Sequence, residues 1–149
     1  MRNTRLAFTV LELITVLSII GILTVIALPK FNETVRNSKV RSARDEVASY
    51  FMRAHAVAIQ RGQRTSVRIA GDRMSVVTDN NGVEEMVLQS DLYSGHGVSL
   101  SASQNEFTYD PRGFAQNIPG MARVQITRDS RSMPVCVTGL GKAYLNGCN

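Results

Sequence analysis

Residues 8–28 read FTVLELITVLSIIGILTVIAL, and this run decides the architecture. Between Phe8 and Leu28 only Glu12 is charged, whereas charges are frequent from Lys30 onward. At about 1.5 Å per residue, roughly twenty helical residues cross a ~30 Å hydrocarbon core, so the run is long enough to span a membrane. Arg2 and Arg5 precede it. Positive charge on that flank keeps the N-terminus in the cytoplasm and sends the rest of the chain outward. Two plain readings compete, a cleaved secretory signal and a simple signal anchor. A secretory signal has a shorter apolar core followed by a small-residue cleavage site. Here the run ends at Pro29 without an A-x-A pattern and then turns amphipathic.

Glu12 weighs against both. A carboxylate deep in a membrane helix costs a few kcal/mol on insertion scales, so such residues have partners. The economical partner is a cation at the same depth. If the Ala7–Phe8 peptide bond were cut, the new α-ammonium of Phe8 would lie four residues from Glu12. In a bundle of such helices, Glu12 of one copy would neutralise the terminus of its neighbour. A short basic leader, then Phe8-Thr9-Val10-Leu11-Glu12 and an apolar helix reaching Pro29, resembles the class III signal of type IV pilins and type II secretion pseudopilins. The resemblance implies a leader over residues 1–7, cut by a prepilin peptidase between Ala7 and Phe8, and methylation of the Phe8 amine. It further implies an inner-membrane assembly platform and a filament core built from residues 8–29, with Glu12 as the assembly residue. The residue before the cut is usually glycine in that pattern; Ala7 is also small, and slower processing is the most it implies.

Past Pro29, which is expected to bend the helix while leaving its halves connected, residues 30–62 read as an amphipathic helix. Phe31, Val35, Val40, Ala43, Val47, Tyr50, Phe51, Ala54 and Ala58 recur at three- and four-residue steps, the spacing of one helix face. Gly62 suits the C-terminal cap. From Arg64 the period becomes two. Thr65–Ile69, Met74–Thr78 and Val83–Leu88 read as a meander, with Asn80-Asn81-Gly82 as a hairpin turn. Val98–Ser101, Phe107–Tyr109, Met121–Arg128 and Pro134–Thr138 supply further strands, and Asp110-Pro111-Arg112-Gly113 is a turn with no site role of its own. The expected fold is α+β: a long N-terminal helix, half membrane and half amphipathic, packed on an antiparallel sheet over residues 63–149. The phrase Phe107–Gly113, the Met121–Arg128 strand and the glycine-rich Cys136–Tyr144 segment resemble the GspH/FimT/FimU group of minor pilins and minor pseudopilins.

Cys136 and Cys148 are the only cysteines. The derived topology puts both outside the cytoplasm, where a disulfide persists. They are read as one disulfide staple, with two free thiols as the competing account, and a C-x-x-C redox spacing is absent. Pilins often carry a C-terminal disulfide loop, which favours a pilus over a secretion pseudopilus. Arg112, Arg123, Arg128, Arg131 and Lys142 share the last part of the chain with one acid, Asp129. Arg123, Arg128, Arg131 and Lys142 are therefore candidates for contacting duplex DNA through phosphates; a solvated basic face is the competing account. Some FimT-like pilins bind DNA through glycine-arginine-any-arginine, and Gly141-Lys142-Ala143-Tyr144 matches that motif only in part. His55 and His96 lie outside any cysteine, histidine or carboxylate spacing suited to a metal. No nucleophile elbow or phosphate loop is present, so no enzyme, cofactor or catalytic residue is expected. The sequence thus points to a minor pilin, with its head in the periplasm and other pilin or pseudopilin subunits as partners. The alternative is an H-type minor pseudopilin of type II secretion.

Overall fold

The computed structural model describes residues 9–118, 120–145 and 147–148. They form two compact units, one up to Arg36 and one from Asn37 onward. Helix α1 (Val10–Arg61) supplies the regular structure of the first unit and opens the second. Pro29 lies inside it, and helix continues on both sides. At the far end Gly62 takes φ of 62°, and the Gln63 N–H donates to the Ala58 carbonyl at 3.2 Å. That left-handed residue with its six-to-one bond is a Schellman cap, which explains why the helix stops where glycine follows Arg61.

The second unit, the head, departs from expectation in one respect: it has two antiparallel sheets where a single sheet was expected. Strands β1 (Arg64–Ala70), β2 (Arg73–Asn80), β3 (Val83–Asp91), β5 (Glu106–Tyr109) and β6 (Ala115–Gln116) form the first. Its order is β3-β2-β1-β5-β6. The second contains β4 (Ser99–Ala102), β7 (Met121–Arg128), β8 (Arg131–Thr138) and β9 (Ala143–Tyr144), in the order β4-β7-β8-β9. The β1–β2–β3 meander is as read from the sequence. Asn81 and Gly82 turn its second corner with φ of 54° and 87°, the paired positive dihedrals that a tight hairpin needs. Strand β8 begins earlier than its proline suggests. Pro134 fits inside because β9 pairs only with Cys136 and Val137, leaving the flank beside Pro134 open.

Alternation explains which side chains go inward. Val67, Ile69, Met74, Val76, Phe107 and Tyr109 from the first sheet join Ala122, Val124, Ile126, Val135 and Val137 from the second in one buried cluster. The stripe of α1, Val40, Ala43, Val47, Phe51, Ala54 and Ala58, is fully buried and belongs to the same cluster. The Phe51 ring fills the remaining space edge-on to Phe107, with centroids 5.0 Å apart, a favourable aromatic geometry.

The crossing from one sheet to the other was not legible as an element. Helix α2 (Leu92–His96) caps on Asp91, whose carboxylate accepts from the Ser94 N–H at 3.0 Å. Asp72, in the β1–β2 turn, holds both ends of the crossing: its carbonyl accepts from Leu92 N–H at 3.0 Å and its carboxylate from Leu100 N–H at 2.9 Å. Glu46 of α1 bonds Ser90 and His96, each at 2.7 Å. The sequence around His96 offered no metal-ligand spacing; tertiary packing gives it a carboxylate.

The core begins at Val40, so the chain from Asn37 onward carries all of it. Replacing Phe51 with alanine should cost that head roughly 3–5 kcal/mol, read as a lowered urea midpoint at unchanged slope. A loss below about 1 kcal/mol would show that the stripe does not hold the two sheets together.

Candidate functional site

The first unit presents an unspent apolar surface. Every residue from Val10 to Leu28 is exposed, with Val10, Leu11 and Val25 above 70%. Such a face is stable only against lipid or other helices. The polar side chains within it are reconciled with that environment: Thr15, Ser18 and Thr24 donate to the carbonyls of Leu11, Ile14 and Ile20 at 2.8, 2.8 and 2.7 Å. Those bonds leave no hydroxyl proton unsatisfied in hydrocarbon. Glu12 sits in the first helical turn, and its N–H donates to the Thr9 hydroxyl at 3.2 Å. Thr9 is thus the N-cap and Glu12 the third helical residue, the spacing of a capping box. Thr9 had drawn no attention in the sequence, although T-x-x-E ahead of an apolar run is a readable signal. A negative charge here also faces the positive end of the helix dipole. Pro29 removes the N–H that would have bonded Val25. Ala7 and Phe8, the expected cleavage and methylation residues, lie outside the described residues.

In the head, Cys136 and Cys148 form a disulfide, with Cα atoms 5.5 Å apart. It ties the tail to β8, beyond a tight turn in which Gly141 N–H bonds the Thr138 carbonyl at 2.9 Å and Thr138 N–H bonds that of Lys142 at 3.0 Å. The turn docks tightly. A Cβ at Gly141 would fall 2.4 Å from the Gly113 carbonyl oxygen and 2.6 Å from the His55 ring. Glycine is therefore required where the β8–β9 loop meets the β5–β6 turn over α1.

That β5–β6 turn is built by Asp110. Its carboxylate accepts the N–H groups of Arg112 and Phe114, both at 2.9 Å, and two bonds from the Arg112 guanidinium. Burial pushes this carboxyl up, but the bonds from Phe114 and Arg112 outweigh it and hold it below the usual carboxylate range. Tyr109 beside it is fully buried; burial raises its hydroxyl well above the ordinary tyrosine value, and that hydroxyl has no hydrogen-bond partner among the described residues.

The structure does not gather the basic candidates onto one face. Arg123 is exposed and lies opposite Cys136 in the β7–β8 register, on the outer face of the second sheet. Alternation turns Arg128 the other way, and its guanidinium donates to the His96 carbonyl, passing over Gly97. Arg131 pairs with Arg128 in register, and Lys142 is exposed beyond Gly141. The acids of the first sheet are largely committed: Arg68 sits between Glu84 and Glu106, and Arg61 pairs with Glu85. Among the described residues no three histidine, cysteine or acidic side chains are grouped to hold a metal. In the one carboxylate–imidazole pair, Glu46–His96, the hydroxyl of Ser90 bonds the carboxylate and not the ring, which is not the order of an activated nucleophile.

Comparison with known proteins now adds to this geometry. The family described as type II transport protein GspH matches residues 43–141. The fold is similar to the type IV minor pilin FimU of Pseudomonas aeruginosa PAO1. For one crystal form the TM-score is 0.64 at 13% identity, covering 74% of this chain and 90% of that one. It is also similar to the minor pseudopilin EpsH of the Vibrio cholerae type 2 secretion system, with a TM-score of 0.58 at 14% identity, covering 72% and 95%. No curated protein sequence matches significantly.

Two outcomes test the site. Asp110 has its folded pKa below an unfolded value near ~3.9, so its contribution is present above that pH and is lost as pH falls through the folded value. Thermal melts from pH 7 to pH 2 should show Asp110→Asn less stable near neutrality and converging on the native head at the acid end; parallel curves would refute the assignment. Separately, Cys148→Ser should remove about 3 kcal/mol in the chain-entropy picture, with faster proteolysis confined to the segment after Thr138.

Proposed function

The chain belongs to the GspH family, and from that premise we propose that it is a minor subunit assembled into a type IV pilus through its N-terminal helix, priming or capping the filament. GspH-type minor pilins and pseudopilins are structural subunits, and one apolar N-terminal helix with a pilin-like head fits a single-span inner-membrane protein with its head in the periplasm. The observation that carries the reading is the wholly exposed apolar run Val10–Leu28 with Glu12 in its first turn. Side-by-side packing of such helices removes that surface from lipid. The Phe8 amine, freed by a prepilin peptidase and methylated, pairs with Glu12 of a neighbour and sets the register, while Pro29 bends the helix where it leaves the membrane. The Cys136–Cys148 loop supports a pilus over a type II secretion pseudopilus, the alternative home; co-purification with pilus or with secretion components decides between them.

DNA capture has narrower support. Lys142 and Tyr144 are exposed together on one short segment, where a cation and a ring would meet a nucleic acid. Titrating the chain with duplex DNA across a salt series, beside Arg131→Ala and Lys142→Ala, tests it; no binding at low salt removes the role.

Glu12 has two explanations, and two variants separate them. Glutamine also suits the third position of a capped helix but carries no charge. Glu12→Ala and Glu12→Gln should both insert in the membrane and both be missing from sheared filaments. If Glu12→Gln assembles normally, Glu12 serves the helix cap and the register idea fails.

A further inference from the structure

An apolar strip runs along the head, left exposed by the described residues. On α1, Met52, Ala56 and Ile59 follow at steps of four and three, so they share a face. Met52 is 56% and Ile59 49% exposed. Ile59 lies against Gly113, where a Cβ would fall 2.8 Å from its terminal methyl. From Gly113 the strip continues onto two loops. Ala115 N–H donates to the Gly139 carbonyl at 3.0 Å, and Gly141 abuts the Gly113 carbonyl. Residues 113–115 and 139–141 therefore run side by side in opposite directions, which sets Phe114 across from Leu140. These two are 47% and 63% exposed. Large apolar side chains scattered singly need no explanation, but five neighbouring apolar positions on one surface do.

The border of this strip carries one sign of charge. Arg53 follows Met52, Lys142 follows Gly141, and the Arg112 guanidinium lies 5.7 Å over the Phe114 ring. The acids close by are already committed: Asp110, its side chain only 8% exposed, is bonded to that same Arg112, and Glu85 is bonded to Arg61 at 2.9 Å, so Arg53 and Lys142 give the border its net charge.

We propose that the strip Met52–Ile59–Phe114–Leu140 is the docking surface for a different subunit of the same filament, one that presents an apolar ridge bordered by carboxylates. The proposal rests on the filament reading above. Charge selects the occupant. A two-fold contact between copies of this chain would set the same patch against itself, bringing the cations Arg53 and Lys142 of one copy against those of the other at a cost. Duplex DNA would satisfy the cations but offers no apolar surface for Met52, Ile59 and Leu140. An apolar ridge with acidic borders satisfies both. It also makes the strip specific for a heterologous neighbour, which suits a subunit that joins a filament built mainly from other chains.

The test uses the full-length chain in its own cells, with the photoreactive amino acid p-benzoylphenylalanine in place of Leu140 and, separately, of Met86, an exposed apolar residue on β3. Filament incorporation is scored alongside. Illumination should give an adduct from position 140, and not from position 86, to another pilin or pseudopilin subunit through a peptide containing Asp or Glu. Arg53→Glu with Lys142→Glu should lower its yield about tenfold or more, while the disulfide and melting temperature stay near those of the parent. An adduct between two copies of this chain, an adduct indifferent to the charge reversal, or crosslinking to DNA would overturn the proposal. So would the absence of an adduct from a chain that is incorporated into filaments. A charge-sensitive adduct to such a subunit in membranes, from a chain absent from filaments, would sink the filament reading and keep the docking surface.

Discussion

The head depends on one stripe of α1 that two sheets must share. Val40, Ala43, Val47, Phe51, Ala54 and Ala58 are fully buried, and side chains from both sheets enter the same cluster around them. Phe51 supplies the bulk of the stripe and meets Phe107 edge-on. A helix with larger residues at Ala43, Ala54 and Ala58 would push the strands outward and separate the sheets.

Sharing a helix obliges the chain to cross between sheets, and polar side chains fix that crossing. Asp72 holds its two ends, Glu46 ties it to α1 through Ser90 and His96, and Arg128 reaches it from β7. A second closure lies where Gly113 and Gly141 meet over His55. There the absence of two side chains brings a turn of the first sheet against a loop of the second. The Cys136–Cys148 bond then restrains the segment that follows. The two sheets are thus joined by hydrogen bonds and glycine contacts as well as by the core.

Surface left unburied tells what the subunit still has to do. In the first unit it is the run Val10–Leu28, uniform around the helix and therefore suited to lipid and to helices alike. In the head it is narrower: a strip on α1 and two loops, bordered by cations. The first surface selects an environment, while the second, having shape and sign, selects a partner. Both follow from the same rule, that apolar area exposed in the isolated chain is covered in its assembly.

What the sequence determined was everything set by neighbours along the chain. The apolar run, the three- and four-residue period, the Gly62 cap and the Asn81-Gly82 hairpin are consequences of local dihedrals and spacing; the period was read from Phe31, but Phe31 and Val35 are exposed and the buried stripe starts at Val40. Thr9 belonged to the same class and could have been read as the cap of α1. Tertiary structure alone decided what distant segments do to one another. The strands were legible singly, but nothing in their alternation says that β4 leaves the meander to pair with β7, since the period of two fixes a face and not a partner. Cys136 and Cys148 were legible as a pair of cysteines, and only the fold brings their Cα atoms within bonding range. The basic residues seemed one group by composition; alternation along β7 turned Arg123 and Arg128 to opposite faces. Glu46–His96 and Gly113–Gly141 join residues far apart in the chain, and such contacts exist only once burial of the α1 stripe has fixed where each sheet lies.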